Sequence, residues 1–135
     1  MKYGYLWLPK LLSKCDCDLL SYSLQWIIVA DKYGDVYGFC LDDVDNIGEP
    51  ILLFGHLCTI ISALGTTSDG SYVFSGDGDG KIRISLIPPN IENGIHEIQS
   101  FCLSHKSYIS AVVELNPMES GKSVLVSGGG DGLLK

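Results

Sequence analysis

The chain has 135 residues, enough for one domain with a modest core. Its formal net charge of −7 argues against a self-sufficient nucleic-acid binder, because neutralising phosphates takes a surplus of lysine and arginine. The apolar run Trp26 to Ala30 is far shorter than the ~20 residues needed to cross a bilayer. The N-terminus also lacks the small-residue cleavage site of a secretory signal, so we expect neither secretion nor a membrane partner.

The five cysteines indicate a reducing compartment. Cys15 and Cys17 form a single close pair, with no second pair at the spacing of a zinc site. Cys40, Cys58 and Cys102 stand among apolar residues, where buried free thiols are common. An odd number of cysteines also speaks against a complete disulfide framework.

Three segments share one pattern, namely an apolar β-branched run, a small-residue corner ending in glycine, and a second run. They are WIIVADKYGDVYGFCL (26–41), SYVFSGDGDGKIRISL (71–86) and SVLVSGGGDGLLK (123–135). Their corner glycines, Gly34, Gly80 and Gly132, are 46 and 52 residues apart. Since glycine readily takes the positive φ that tight hairpin turns require, each segment predicts a β-hairpin.

A histidine and a further strand precede the second and third hairpins. His56 opens this unit in FGHLCTIISALGTTSDG, and His105 opens it in LSHKSYISAVVELNPMESG. The order histidine, strand, turn, strand, turn, strand, at a period near 50, is typical of a WD-repeat β-propeller blade. The predicted fold class is therefore all-β, a WD-repeat β-propeller fragment of about two and a half blades.

We expect residues 24–135 to form this partial propeller. The blade pieces are predicted at about 24–50, 51–97 and 98–135, and the proline pair at 88–89 predicts a loop after the second hairpin. Residues 1–23 are an atypical N-terminal segment, and it is left open whether they are native to the fold. Because propellers close rings of about 4–8 blades, the chain is expected to be a fragment, a truncated isoform or the product of a faulty gene prediction.

Two sets of polar residues recur at the repeat period. In a WD-type blade, a histidine before the first strand, a hydroxyl on the second strand and an aspartate in the following turn form a hydrogen-bonded chain. The predicted sets are His56, Ser75 and Asp79, and His105, Ser127 and Asp131. We interpret them as structural groups that satisfy one another. A hydrolase triad is rejected because the set repeats and no G-x-S-x-G motif accompanies it, so no catalytic residue is expected.

The repeats are degenerate. A tryptophan usually completes the set on the third strand, but Phe39 stands there in the first unit and Ser85 in the second. Tyr33 replaces the turn aspartate of the first unit. Incomplete sets of this kind predict marginal stability.

The Gly/Asp corner does not fit a metal or phosphate loop. Counted as an EF-hand from Asp77, the fifth ligand position is Lys81 and the twelfth is Pro88, which excludes calcium. The spacing is one residue short of a Walker loop. We expect a hairpin corner in which Asp79 bonds within the turn and Gly80 takes the left-handed conformation. No metal site is predicted.

The strand after the corner carries two cations. Alternate residues share a face, so Lys81, Arg83 and Ser85 point one way. A buried, unpaired cation is costly. Lys81 and Arg83 must therefore reach the rim as solvated charges, extend to water, or meet an acidic partner.

Three strings resemble the WD-repeat non-catalytic subunit of tRNA (guanine-N7)-methyltransferase. They are VADKYGDVYGFCL (29–41), GHLCTIISALGTTSDGSYVFSGDGDGKIRIS (55–85) and IQSFCLSHKSYISAVV (98–113). The resemblance implies a seven-bladed propeller with no catalytic chemistry and no cofactor of its own. It implies a heterodimer with a catalytic methyltransferase subunit that holds S-adenosylmethionine, and tRNA bound indirectly or weakly by this chain. It also implies a nuclear location, with the cytoplasm left open.

The resemblance also assigns partner-binding residues. In the family, basic residues of the strand matching KIRIS contact acidic residues of the methyltransferase, which corresponds here to Lys81 and Arg83. The family's corner usually reads Asp-Arg-Asp-Glu, whereas this chain has Asp77-Gly78-Asp79-Gly80, so contact by the corner itself is open. An acidic scaffold implies that the catalytic partner supplies most of the affinity for tRNA. The alternatives are a generic WD-repeat scaffold, such as a ubiquitin-ligase adaptor, or a non-functional truncated fragment.

Overall fold

The computed structural model describes residues 17–23, 26–40, 48–115 and 123–135. Within these ranges the chain forms β-strands and no helix, which confirms the all-β prediction. The strands are β1 (Cys17–Ser23), β2 (Trp26–Asp31), β3 (Asp35–Cys40), β4 (Ile51–Gly55), β5 (Ile61–Thr66), β6 (Tyr72–Asp77), β7 (Ile82–Leu86), β8 (Ile98–Cys102), β9 (Ile109–Leu115) and β10 (Val124–Gly129). Nothing in the described ranges is a helix that could span a membrane.

The strands form three antiparallel sheets in chain order. The first contains β1-β2-β3-β4, the second β5-β6-β7-β8, and the third β9 and β10. An isolated bridge between Gly128 and Leu134 starts a further strand beside β10. Two four-stranded sheets and one partial sheet are the two and a half blades that the repeat predicts.

The sheets are offset from the predicted blade pieces. β1 lies inside the atypical segment 1–23, yet it pairs with β2 from Cys17 opposite Asp31 to Ser23 opposite Trp26. β4 lies in the piece 51–97 but pairs with β3, and β8 lies in the piece 98–135 but pairs with β7. The first two sheets thus each take their outermost strand from the start of the next repeat piece.

The three corner glycines take the predicted conformation. Gly34, Gly80 and Gly132 have φ of +93°, +82° and +75°. Space matters as much as φ at the second corner, where a Cβ on Gly80 would lie 2.5 Å from the carbonyl oxygen of Ser107. Larger residues are therefore excluded there by both backbone strain and contact.

The main core lies between the first and second sheets. The segment between β7 and β8, residues 87–97, crosses onto the first sheet, and we call it the strap. The strap contributes two isoleucines to the core, Ile91 and Ile95, and the Ile95 N–H donates to the Leu53 carbonyl over 2.9 Å. The other buried members of this core are Ile28, Ala30, Val36, Leu53, Phe54, Ile61 and Val73. The loop predicted after the proline pair is therefore a packed link between two sheets.

A smaller core joins the second sheet to the third. Ala63, Ile82 and Ile109 are buried together there. The third sheet approaches so closely that a Cβ on Gly76 would lie 2.5 Å from Cγ2 of Ile109. Glycine at this position is required by packing.

The cysteines whose side chains are described are free thiols. Cys40 and Cys102 are half-buried, as their apolar neighbours indicate. The expectation of burial is wrong for Cys58, which is exposed in the loop after β4 with a φ of +58°.

We expect Ile95→Ala to lower the free energy of unfolding by about 2–4 kcal/mol, because it removes a fully buried side chain from the core between two sheets. Ile98→Ala makes the same chemical change at an exposed site on β8 and should stay within about 0.5 kcal/mol of the parent. Urea denaturation followed by tryptophan fluorescence would measure both. Equal losses in the two variants would contradict the packed strap.

Candidate functional site

The loop after β4 places His56 beside β6. Its Nε2 lies 2.8 Å from the Ser75 hydroxyl, and its Nδ1 lies 3.1 Å from Oδ2 of Asp77. The His56 and Asp77 side chains are 4% and 2% exposed. The first set is therefore a buried hydrogen-bonded chain that links the end of the first sheet to the second.

The aspartate of this set is Asp77, and the prediction of Asp79 is wrong. Asp77 ends β6 two residues after Ser75, so both side chains lie on the face that meets His56. Its Oδ1 also accepts from the backbone N–H groups of Asp79 and Lys81, each over 2.9 Å, which holds the corner. The Asp79 side chain points to solvent, 3.6 Å from Nζ of Lys81.

The second set contains the three residues predicted for it. His105 Nε2 lies 2.9 Å from the Ser127 hydroxyl, and Nδ1 lies 3.0 Å from Oδ1 of Asp131. In this set the carboxylate comes from the turn, because Gly129 stands at the position that Asp77 has in the first set. A larger residue at position 129 would not fit, since its Cβ would lie 2.5 Å from His105 Nδ1. The N–H of Lys106 and the His105 ring hold the pKa of Asp131 at about 2.

Asp31 is a corner residue that the repeat search missed. Its Oδ1 accepts from the N–H groups of Tyr33 and Asp35 over 2.9 and 3.0 Å, as Asp77 does in the next sheet. The signal was present in the alignment, since Asp31 and Asp77 each lie three residues before a corner glycine. The first corner is therefore still stabilised by Asp31, although Tyr33 replaces the turn aspartate.

Arg83 is buried between the first two sheets. Its Nε donates to the Ser85 hydroxyl over 2.8 Å, Nη1 to the Gly55 carbonyl over 3.4 Å, and Nη2 to the Ile95 carbonyl over 3.3 Å. The guanidinium carbon lies 4.4 Å from the centre of the Phe54 ring. Ser85, which stands at the usual tryptophan position, is fully buried and supplies one of these acceptors.

The structure thus separates the two predicted partner-binding cations. Lys81 is half exposed at the corner, whereas Arg83 is 9% exposed and uses backbone carbonyls, a hydroxyl and an aromatic face. Lys81 therefore fits the expectation of a solvated charge at the rim. Arg83 fits none of the expected alternatives, because its guanidinium is hydrogen-bonded inside the chain and has no carboxylate partner in the described part of it. Burial lowers the pKa of Arg83, which still stays protonated at neutral pH.

Burial also lowers the pKa of His56, and this effect outweighs the hydrogen bond and charge of Asp77, which raise it. The nearby charge of Arg83 lowers the pKa further. A neutral imidazole can donate to Asp77 from Nδ1 and accept from Ser75 at Nε2. The set is therefore most stable with His56 uncharged.

The arrangement suits structural support better than chemistry. The Ser75 hydroxyl is fully buried and Ser127 is 5% exposed, so a substrate has no path to either as a nucleophile. Across the described ranges, no group of three or more His, Cys, Asp or Glu side chains could hold a metal ion.

Two four-stranded antiparallel sheets and a third, partial sheet follow one another, and a buried His–Ser–Asp set joins each sheet to the next. This arrangement defines a piece of a WD-repeat β-propeller. A family model described as the tRNA methyltransferase TRM82 WD40 domain matches residues 45–135. The chain belongs to this family.

Curated relatives carry names of one kind. The tRNA (guanine-N(7)-)-methyltransferase non-catalytic subunit WDR4 of Mus musculus is 33% identical over 122 residues, which is 90% of this chain and 27% of that protein. The subunit wdr4 of Xenopus laevis is 35% identical over 121 residues, 88% of this chain and 28% of that protein. The subunit wuho of Drosophila mojavensis is 35% identical over 102 residues, 76% of this chain and 24% of that protein. The chain spans about a quarter of the length of these relatives.

Solved structures support the fold alone. A chain in the crystal structure of a mitotic checkpoint complex matches with a TM-score of 0.63 at 20% identity, covering 84% of this chain and 32% of that one. The computationally designed Ika8 protein matches with a TM-score of 0.61 at 23% identity, covering 85% of this chain and 30% of that one.

Replacing either aspartate of the second corner by asparagine separates their roles. We expect Asp77→Asn to lower the free energy of unfolding by about 1–3 kcal/mol, because it weakens buried hydrogen bonds to His56 and to the corner. Asp79→Asn, two residues away and exposed, should change it by less than about 0.5 kcal/mol. Chemical denaturation of the two variants would measure this, and the reverse order would restore the assignment to Asp79.

The lowered pKa of His56 predicts a loss of stability on acidification. The unfolded chain takes up the proton first, near the ordinary histidine pKa of about 6.5, so stability is full above that pH and falls as the pH drops below it. The unfolding midpoint should therefore be lower at about pH 5.5 than at about pH 8.

His56→Gln should reduce the part of this pH dependence that lies near about pH 6.5. His96→Gln, in which the replaced ring is exposed on the strap, should keep it. Thermal unfolding at a series of pH values would compare the variants. An unchanged slope in His56→Gln would contradict the assignment.

Proposed function

We propose that this chain is part of the non-catalytic WD-repeat subunit of a tRNA (guanine-N7)-methyltransferase. The observation that carries the proposal is the family match over residues 45–135, together with relatives of that name at 30–35% identity. In this proposal the catalytic partner holds S-adenosylmethionine and performs the methyl transfer. The heterodimer acts in the nucleus on tRNA.

The internal use of the polar residues supports a non-catalytic role. The His, Ser and Asp side chains of both sets bind one another, and the guanidinium of Arg83 is occupied by contacts within the chain. Surface contact with a partner is the kind of function that such a scaffold can provide. Since the chain is acidic, the catalytic partner supplies most of the affinity for tRNA. This chain helps to position the tRNA.

We assign Lys81 and Arg83, the two cations that match the family's partner-binding residues, different roles in docking. Lys81 is half exposed at the corner, with its Nζ 3.6 Å from the equally exposed Asp79, and it is free to turn towards a carboxylate of the partner. Arg83 lies two residues further along the chain, in β7, and fixes β7 against β4 and the strap. Arg83 thereby positions the corner that presents Lys81.

Binding to the catalytic methyltransferase subunit tests this proposal. Lys81→Glu should weaken the complex about 2- to 5-fold, the range expected for an exposed ion pair at an interface rim. Gln99→Glu adds a negative charge to the exposed outer strand β8 and should leave binding unchanged. Isothermal titration calorimetry with each variant would measure the difference.

Two outcomes would count against the proposal. Equal affinity for Lys81→Glu and the parent would remove Lys81 from the interface. Unchanged N7-methylguanosine in tRNA after deletion of the gene would remove the assignment to this methyltransferase, and would favour a WD-repeat scaffold with a different partner.

A further inference from the structure

The first strands of the three sheets, β1, β5 and β9, share one irregular register. In each sheet, one residue of the first strand lies opposite the last residue of the second strand, and the register shifts by one residue directly afterwards. The three strands are therefore structural repeats of one element, although β1 lies outside the repeat that the sequence shows. The register pairs are Ile61 with Asp77, Ile109 with Gly129, and Cys17 with Asp31.

In the second and third sheets this position holds an isoleucine that packs against the preceding sheet. Ile61 is buried in the core with Ala30 of the first sheet. Ile109 is fully buried against the second sheet, where a Cβ on Gly76 would lie 2.7 Å from the Cβ of Ile109. Ala30 and Gly76 hold equivalent places, one residue before the end of the second strand. We call the isoleucine position the knob and the small residue the socket.

The third sheet has a socket whose knob is missing from the described part of the chain. Gly128 stands one residue before the end of β10, as Gly76 does in β6. Within the described ranges, the atoms nearest to a Cβ on Gly128 are Ser110 Oγ at 3.3 Å and Leu134 Cδ2 at 3.6 Å, and both belong to the third sheet. The socket therefore opens on the outer face of this sheet, the face turned away from the second sheet.

This outer face is apolar and exposed. Val112 packs against the second sheet, so its neighbour Val113 points the other way. Residues directly opposite one another on paired strands share a face, which adds the partners of this side of β9 and β10. A contiguous apolar patch is typical of a surface that binds another protein. The exposed apolar residues of the outer face are Val113 (51%), Leu115 (51%), Val124 (49%) and Leu134 (79%).

The first sheet carries the complementary knob strand. Cys17 holds the knob position of β1, and cysteine behaves as a small apolar residue. A second position of the knob strand, three residues further along, contacts the preceding sheet in β5 and β9, where Leu64 and Val112 occupy it. In β1 this position is Leu20, so both positions are apolar in all three sheets. The register pairs are Leu20 with Val29, Leu64 with Ser75, and Val112 with Ser127.

We propose that the outer face of the third sheet binds the first sheet of a second copy of this chain, with the β1 position of Cys17 at the Gly128 socket. The occupant follows from continuity with the two internal joints, each of which brings the knob strand of one sheet to the socket of the sheet before it. The contact is head-to-tail, so copies associate into chains or closed rings. This inference goes beyond the proposed function and does not depend on it.

Disulfide crosslinking of Gly128→Cys tests the contact. The Cβ positions of the equivalent internal pair, Gly76 and Ile109, are 2.7 Å apart, so two cysteines at such a joint can form a disulfide after a small adjustment. We expect Gly128→Cys to give dimers and larger species on non-reducing electrophoresis after mild oxidation. Combining it with Cys17→Ser should abolish these species. Gly48→Cys places the new thiol at an exposed site and should crosslink no more than the parent.

Sedimentation over a range of concentrations tests the same contact without a new cysteine. We expect Val113→Lys to weaken self-association about 10-fold or more, as for a charge placed in the centre of an apolar interface. Leu57→Lys makes the same apolar-to-cation change in the loop after β4, where the side chain is 90% exposed, and should associate like the parent.

The possible outcomes decide the inference. A parent chain that stays monomeric at every concentration overturns it and leaves the socket to a different partner. Crosslinking of Gly128→Cys that persists after Cys17→Ser also overturns it, because the contact then involves another surface. Thermal unfolding establishes that each variant retains the fold, and the comparison of Val113→Lys with Leu57→Lys decides the matter if Gly128→Cys does not fold. Binding to the catalytic subunit is a separate measurement, so none of these results changes the proposed function.

Discussion

The buried guanidinium of Arg83 is the interaction on which the arrangement of the first two sheets depends. One side chain reaches the last carbonyl of β4, a carbonyl of the strap and a hydroxyl of its own strand, and it also covers the Phe54 ring. Three acceptors in three directions match the planar fork of arginine and not the single ammonium of lysine. Leaving such a charge without acceptors inside the protein would be costly, so the sheets and the strap are held in one relative position.

The two His–Ser–Asp sets show how one physical requirement is met in two ways. Each histidine needs an acceptor for Nδ1 and a hydroxyl at Nε2, and the serine is in the same place in both sets. The carboxylate comes from the end of β6 in one set and from the turn in the other. Side-chain reach and the space left by Gly129 decide between them. The hydrogen bond between the histidine Nδ1 and a carboxylate is present in both sets, although the aspartate that supplies the carboxylate stands at a different sequence position in each.

The repeat in the sequence was sufficient to predict the strands, the hairpin corners and the positive φ at Gly80, because these follow from local alternation and from glycine spacing. The repeat also correctly predicted that the side chains of His105, Ser127 and Asp131 are in contact. Asp77 was missed because two aspartates compete at that corner, and spacing alone does not show which faces the histidine. The burial of Arg83 was missed because its acceptors are backbone carbonyls from distant segments, which leave no trace in residue type. The contribution of β1 was missed because an outer-sheet strand need not resemble the repeat.

The offset between repeat pieces and sheets has a consequence for how the molecule unfolds. β4 is the outer strand of the first sheet and β8 is the outer strand of the second, and each leads directly to the histidine that binds the following sheet. Separating one sheet from the next would therefore break a buried polar set. Unfolding of one sheet therefore exposes the His–Ser–Asp set that holds the next sheet in place. Such coupling makes melting cooperative across blades, in contrast to modular repeats whose units can fray one at a time.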